Sequence, residues 1–210
     1  MGQANGPMRS EVSICNKALG WLGAKNIASL DENSTPASLC RDNYGSIRDA
    51  VLESRMWTFS TARAVSTVGE DDIDEFERMY LHNIPLNWLG VYRCYRSTDM
   101  RRKQKADNWR REGGKILAED TTLYMWGTER VTDTGKWTSL FVEAVTARLA
   151  AELCVALTEN RQREVDLWSL YDAKLREAAA RDGQQGESDD MDVGSFIKAR
   201  GSSLTGARYL

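Results

Sequence analysis

The sequence predicts a mainly α-helical protein with a β insertion, because its residue pattern changes three times along the chain. Apolar residues recur with helical spacing up to about residue 55 and again from 138 to 181. Short segments rich in Tyr, Trp, Val and Ile lie between these two regions, and a polar stretch follows residue 182. We therefore expect a four-helix bundle, a small antiparallel sheet between helices 2 and 3, and an extended C-terminal tail.

Two helices are predicted in the first part of the chain. Residues 10–22 keep apolar side chains on one face, and Ser10 is placed to cap the first turn. A second helix begins at Ser34, which is also a favourable N-cap residue, and runs to about residue 55. Pro36 falls within its first turn, where the missing N–H leaves no hydrogen bond unmade.

Two further helices are predicted after the β insertion. One begins at Thr138, and alanines on its other faces allow close packing. The other spans residues 161–181. Their apolar stripes consist of Phe141, Val145, Leu149, Leu153 and Leu157 in the third helix, and of Val165, Trp168, Tyr171 and Leu175 in the fourth.

The β insertion is predicted from β-branched and aromatic residues bounded by turn residues. The pair Gly113–Gly114 between two such segments is typical of a tight hairpin turn. The predicted strand segments are residues 79–86, 89–97, 108–112, 115–119 and 122–131.

These patterns divide the chain into four parts. Residues 1–9 are predicted to be a flexible arm, and ranges 10–64 and 138–182 form the helical bundle. Range 65–137 is the β insertion with its acidic and basic loops, and 183–210 is the tail. A tail with so few apolar groups does not recover its ordering entropy alone, so we expect it to need a partner.

Overall charge and composition restrict the functional class. The formal net charge is −3, which does not favour nucleic-acid binding by the chain as a whole. No run approaches the roughly 20 apolar residues of a membrane helix, so no membrane association is expected. The cysteines have spacings unlike those of a zinc site or a disulfide framework, and we expect free, buried thiols at Cys15, Cys40, Cys94 and Cys154.

No residue pattern in the sequence indicates catalysis. His82 is the single histidine and lies in a predicted strand, where a structural role is more common than a catalytic one. No nucleotide-binding, nucleophile-elbow or zinc-protease motif occurs. Carboxylates are plentiful, so a glycosidase-type pair stays open. We expect no catalytic residues, no cofactor-binding residues and no metal site.

Two charged stretches have several interpretations. Residues 70–77 are acidic, and residues 93–111 carry eight basic side chains interleaved with aromatic ones. The basic stretch fits a nucleic-acid patch, a solvated β loop, or a surface that pairs with the acidic run within one chain or across a subunit boundary. Because Trp and Arg are enriched at interfaces, the contact candidates are Arg101, Arg102, Lys103, Trp109 and Trp126.

Four groups of segments, in order and spacing, resemble the head-to-tail adaptor family, also called tail tubular protein A, of short-tailed phages. The resemblance covers roughly residues 10–180. Its segments are Ile14 to Leu19 (ICNKAL) with Ile27 to Ser34 (IASLDENS); Ala37 to Tyr44 (ASLCRDNY) with Arg48 to Leu52, Trp57 to Phe59 and Arg63; Lys115 to Leu117; and Phe141 to Ala144 with Ala147 to Leu153.

The resemblance implies an α-helical bundle with a β insertion, and a virion protein that assembles in the host cytoplasm. It implies a ring of twelve subunits between the portal and the tail nozzle, through which DNA passes without specific binding. A C-terminal extension is implied to reach the portal. The tail residues predicted to bind there are Phe196, Ile197, Lys198, Arg200, Arg208, Tyr209 and Leu210.

Two other functions remain as alternatives to the adaptor. One is a DNA-binding packaging or regulatory protein that uses residues 93–111. The other is a cell-wall hydrolase, an activity linked to some relatives in this structural group, although no residue set in this sequence transfers it. The acidic run at 70–77 and the basic loop at 99–111 depart from the family core.

Overall fold

The computed structural model describes residues 10–69, 72–74, 76–77, 79–96, 106 and 108–184. These residues contain four helices and six strands. The helices are α1 (Glu11–Leu22), α2 (Thr35–Glu53), α3 (Ser139–Thr158) and α4 (Arg161–Gly183). The strands are β1 (Thr61–Thr67), β2 (Tyr80–Asn83), β3 (Trp88–Tyr95), β4 (Arg110–Glu112), β5 (Lys115–Ala118) and β6 (Thr122–Glu129).

The predicted local signals at helix and strand ends are confirmed. The Ser10 side chain accepts a hydrogen bond from the Ser13 N–H and so caps α1, and Ser34 caps α2 through the Ala37 N–H. The Gly113–Gly114 pair joins β4 to β5, and both residues have positive φ angles of 56° and 80°. Such angles suit glycine and form the tight turn of an antiparallel hairpin.

Helix α3 occupies the centre of the helical layer. It packs against α1, α2 and α4, whereas α1 and α2 touch each other less. Small buried residues such as Ala144, Ala147 and Ala151 let the neighbouring helices approach closely. Near the start of α3, the Phe141 ring makes edge contacts with Trp57 and Trp137, at centroid distances of 5.0 and 5.1 Å.

The β region forms two three-stranded antiparallel sheets. The first has the order β1-β6-β3 and the second the order β2-β5-β4. The expected four-helix bundle with one small antiparallel sheet is therefore wrong. The physical reason is the position of β6, which pairs with β1 on one edge and with β3 on the other. This pairing leaves β2, β4 and β5 to form a sheet of their own.

The helical layer and the two sheets, which form the second layer, are joined through neighbouring residues of β3. Leu89 is buried in the helical core, whereas Trp88 is buried in the hydrophobic cluster that the two sheets share. The Tyr92 hydroxyl donates to the Glu53 carbonyl at 3.1 Å. Arg130 pairs with Asp49 of α2 at 2.8 Å. These contacts connect the end of the first sheet to α2.

Candidate interaction surface

The first sheet has one face buried against the second sheet and an opposite face that is exposed along β1. Along β6 the side chains alternate, and Leu123 and Met125 are buried in the cluster shared with the second sheet. Tyr124 and Trp126 are half-buried and point to the opposite side, because successive strand residues face opposite ways. Their partners in the pairing register lie on this same side. We call this side the Arg–aromatic face; its residues are Arg63, Val65, Arg93, Tyr95, Tyr124 and Trp126, of which Tyr95 is buried.

Trp126 is the centre of the Arg–aromatic face. Its cross-strand partners are Arg63 on one side and Arg93 on the other. The Arg63 guanidinium lies over the indole, 4.3 Å from the ring centroid, which is a favourable cation–π distance. The Tyr95 ring approaches from the β3 side at 5.8 Å. The indole is therefore held between a cation and a second aromatic ring.

This face is accessible to a partner. Arg63 is exposed, and Val65 keeps 59% of its surface in contact with solvent. Both belong to β1, which lies at one edge of the sheet order. A strand face with an exposed valine, a half-buried Tyr and a half-buried Trp has the aromatic and Arg content found at the centres of protein contacts.

A second surface feature is a cleft at the edge of the second sheet. Its volume is about 530 Å³, and it is lined in part by Met79 and Trp109. Arg110 also lines it, and its guanidinium pairs with Glu77 at 2.6 Å and with Glu112 at 3.1 Å. Hydrogen bonding to Arg110 lowers the pKa of the Glu77 carboxyl, and the two carboxylates raise the pKa of Arg110.

These pairs bear on the three interpretations of the basic stretch. Arg110 meets Glu77 of the acidic run inside one chain. Arg96 pairs with Asp120 at 3.0 Å, and Arg111 donates to the Leu89 carbonyl at 3.2 Å. Part of the stretch is thus matched by internal acceptors rather than left as a uniform positive surface.

The C-terminal end of α4 is fixed at the start of the first sheet. Asp182 is only 3% exposed, and its carboxylate accepts hydrogen bonds from the Thr58 N–H and the Thr58 hydroxyl, the latter at 2.6 Å. Arg55 lies 4.0 Å from the same carboxylate. Because Thr58 is three residues before β1, the chain leaves α4 close to the strand that carries Arg63 and Val65.

The groups considered for chemistry are placed inside the fold. His82 is fully buried, and its Nε2–H donates to the Asp120 carbonyl at 2.8 Å. All four cysteines are free and buried, as expected, and burial raises the pKa of the Cys94 thiol to about 12. No group of three His, Cys, Asp or Glu side chains in the described residues is arranged to hold a metal ion. Over the same residues, no helix is long and apolar enough to cross a membrane.

The structure separates the predicted contact residues. Trp126 lies at the centre of the Arg–aromatic face, whereas Trp109 is half-buried and lines the cleft of the second sheet. Sequence reasoning missed the roles of Arg63 and Val65, because only the strand register places them beside Trp126 and Tyr124. The predicted contact residues Arg101, Arg102 and Lys103, and the portal-binding residues between 196 and 210, lie outside the described residues.

We compared the chain with known protein families and with curated proteins. A scan against protein-family models finds no family that matches the chain. A search of the curated proteins finds no matching relative.

Proposed function

We propose that this chain is a virion structural protein, a head-to-tail adaptor that assembles into a ring between a portal and a tail nozzle. DNA passes through the ring without specific binding. The resemblance of four segment groups to the adaptor family of short-tailed phages supports the proposal. In the structure, the first group lies on α1 and the connector that follows it, the second mainly on α2 and the fourth on α3, and these helices share one hydrophobic core.

The Arg–aromatic face is the observation that carries the proposal. It offers Trp126, Tyr124, Arg63 and an exposed valine on a rigid strand pair, which suits a permanent contact with another protein chain. A ring requires two different, complementary surfaces on each subunit, because each copy contacts its neighbour head-to-tail. We assign the Arg–aromatic face to one of these two surfaces.

Assembly with a portal ring tests this function directly. The full chain is mixed with the portal protein of the same virus, and native mass spectrometry counts the copies bound. We expect twelve copies of the chain on each portal ring, and a closed ring of density in electron micrographs. A chain that stays monomeric in the presence of the portal would overturn the proposal.

A shortened chain and a DNA titration complete this test. We expect a chain that ends at Gln184 to keep the far-ultraviolet circular dichroism of its helices and to lose portal docking. Unchanged docking would remove the tail from the mechanism. Tight, salt-sensitive binding of duplex DNA by the free chain would instead favour a DNA-binding protein, since neutralising phosphates gives a steep salt dependence.

A further inference from the structure

We infer that the acidic segment at residues 187–192 docks on the Arg–aromatic face of the same chain. The inference rests on the proposed function, in which the tail binds the portal after assembly. In the free subunit, the acidic segment would instead bind the exposed part of the Arg–aromatic face. Three observations support it: where α4 ends, how far the chain reaches, and how the charges match.

The first observation is the anchor at Asp182. Its buried carboxylate binds the N–H and hydroxyl of Thr58, so the last turn of α4 cannot move away from the start of β1 without breaking these bonds. Arg63 is five residues beyond Thr58, a span of about 17 Å for an extended chain. The tail therefore starts within a short distance of the Arg–aromatic face.

The second observation is the reach of the acidic segment. Glu187 follows Asp182 by five residues and Asp192 follows it by ten. Extended chain covers about 17 Å and about 33 Å over these intervals. These lengths are sufficient to reach from Thr58 to Arg63 and further along β1 to Val65.

The third observation is the match in chemistry. The segment contains Glu187, Asp189, Asp190 and Asp192, with Met191 as its one large apolar residue. Arg63 is exposed and lies over the Trp126 ring, and a guanidinium at the surface suits the binding of a carboxylate. Methionine packs favourably on aromatic rings, and Tyr124 and Trp126 provide them.

Tethering strengthens such a contact. A segment attached a few residues from its site has an effective concentration in the millimolar range, so a weak individual interaction is well occupied. Docking of this kind covers Val65 and Trp126 in the free subunit.

Disulfide trapping in the full chain tests this placement. Val65→Cys combined with Ser188→Cys places one thiol on the face and one in the acidic segment. The matched control is Val165→Cys with Ser188→Cys, because Val65 and Val165 are similarly exposed, at 59% and 57%. Val165 lies 17 residues before Asp182 on α4, about 26 Å along the helix axis.

We expect the Val65 pair to form an intrachain disulfide at least tenfold faster than the Val165 pair under mild oxidation. Arg63→Glu should slow this reaction about fivefold, and raised salt should slow it too. Arg41→Glu, the same charge reversal at an exposed position on α2, should leave the rate unchanged. Peptide mapping locates each bond, and the native thiols are buried.

Three results would overturn the inference. Equal rates for the two pairs would show that the segment has no preference for the face. An Arg63→Glu variant with the original rate would remove the charge match. Bonds only between chains, detected by mixing isotope-labelled subunits, would assign the face to a neighbouring copy. Because the free subunit is measured, none of these results decides whether the portal ring forms.

Discussion

At the residue scale, Gly127 shows how tightly the first sheet is built. A Cβ atom at this position would lie 2.2 Å from the Gly90 carbonyl oxygen and 2.4 Å from the Trp88 ring. Both distances are far shorter than van der Waals contact, and neither the backbone nor the buried indole can move freely. Glycine is required here because Trp88 of β3 covers the inner side of β6.

Gly127→Ala should therefore lower the free energy of unfolding by about 3 kcal/mol, as overpacking of a rigid site does. Urea denaturation followed by circular dichroism measures it. The matched control is Gly45→Ala in α2, where nothing lies within 4 Å of an added Cβ. That change should be neutral or stabilising by up to about 1 kcal/mol, because Ala favours a helix over Gly. Equal stability of the two variants would contradict this account.

The sequence could predict some residues at this scale and not others. Caps at Ser10 and Ser34 are local signals, since the capping oxygen and the N–H that donates to it lie three residues apart. The buried cysteines follow from their apolar neighbours. The importance of Arg63 and Gly127 depends on which strands pair, so neither residue shows it in its local sequence.

At the element scale, Glu143 connects three helices. Its carboxylate, on α3, pairs with Lys17 of α1 and with Lys174 of α4, the latter at 3.3 Å. Hydrogen bonding to Lys17, with a further contribution from Lys174, lowers the pKa of Glu143. The pairing therefore stabilises the fold above the unfolded-state pKa of about 4.3, and this contribution is lost as the pH falls through the lower folded-state pKa.

Glu143→Gln should reduce stability at pH 7 by about 1 kcal/mol, a modest value because the charges are partly exposed. The difference from the unchanged chain should shrink as the pH falls below about 4 and vanish once Glu143 is protonated. Thermal unfolding across this pH range measures it. The control, Glu164→Gln in the first turn of α4, should show a smaller difference at pH 7. A difference that grows on acidification would contradict the assigned sign.

Elements differ in how far the sequence reveals them. The four helices were predictable because their apolar residues recur along one face. β1 lies partly inside the range 10–64, which the sequence predicts to be helical, because its alternate residues are Ala62, Ala64 and Ser66 rather than large apolar ones. Its strand character comes from pairing with β6, which local pattern does not encode.

At the scale of the whole molecule, strand order is the feature that local patterns could not supply. Two sheets form rather than one because β6 pairs with β1 and β3, both of which lie far before it in the sequence. The Arg–aromatic face depends on the same choice, because it exists only where β1, β6 and β3 lie side by side. Composition indicated Trp126 as a contact residue, whereas only the strand register shows that Arg63 and Arg93 lie beside it.

Leu89 should make the two layers unfold together. It belongs to β3 but is buried in the helical core, next in sequence to Trp88 in the cluster of the sheets.

Pulsed thiol labelling in urea reports each layer separately, since Cys154 lies in the helical core and Cys94 in the sheet cluster. We expect both cysteines to become reactive at one urea midpoint. Leu89→Ala should lower the free energy of unfolding by about 2–4 kcal/mol and shift both urea midpoints down by the same amount. Leu86→Ala, at a fully exposed position, should change neither midpoint. Labelling of Cys94 at clearly lower urea than Cys154 would mean that the sheets unfold independently of the helices.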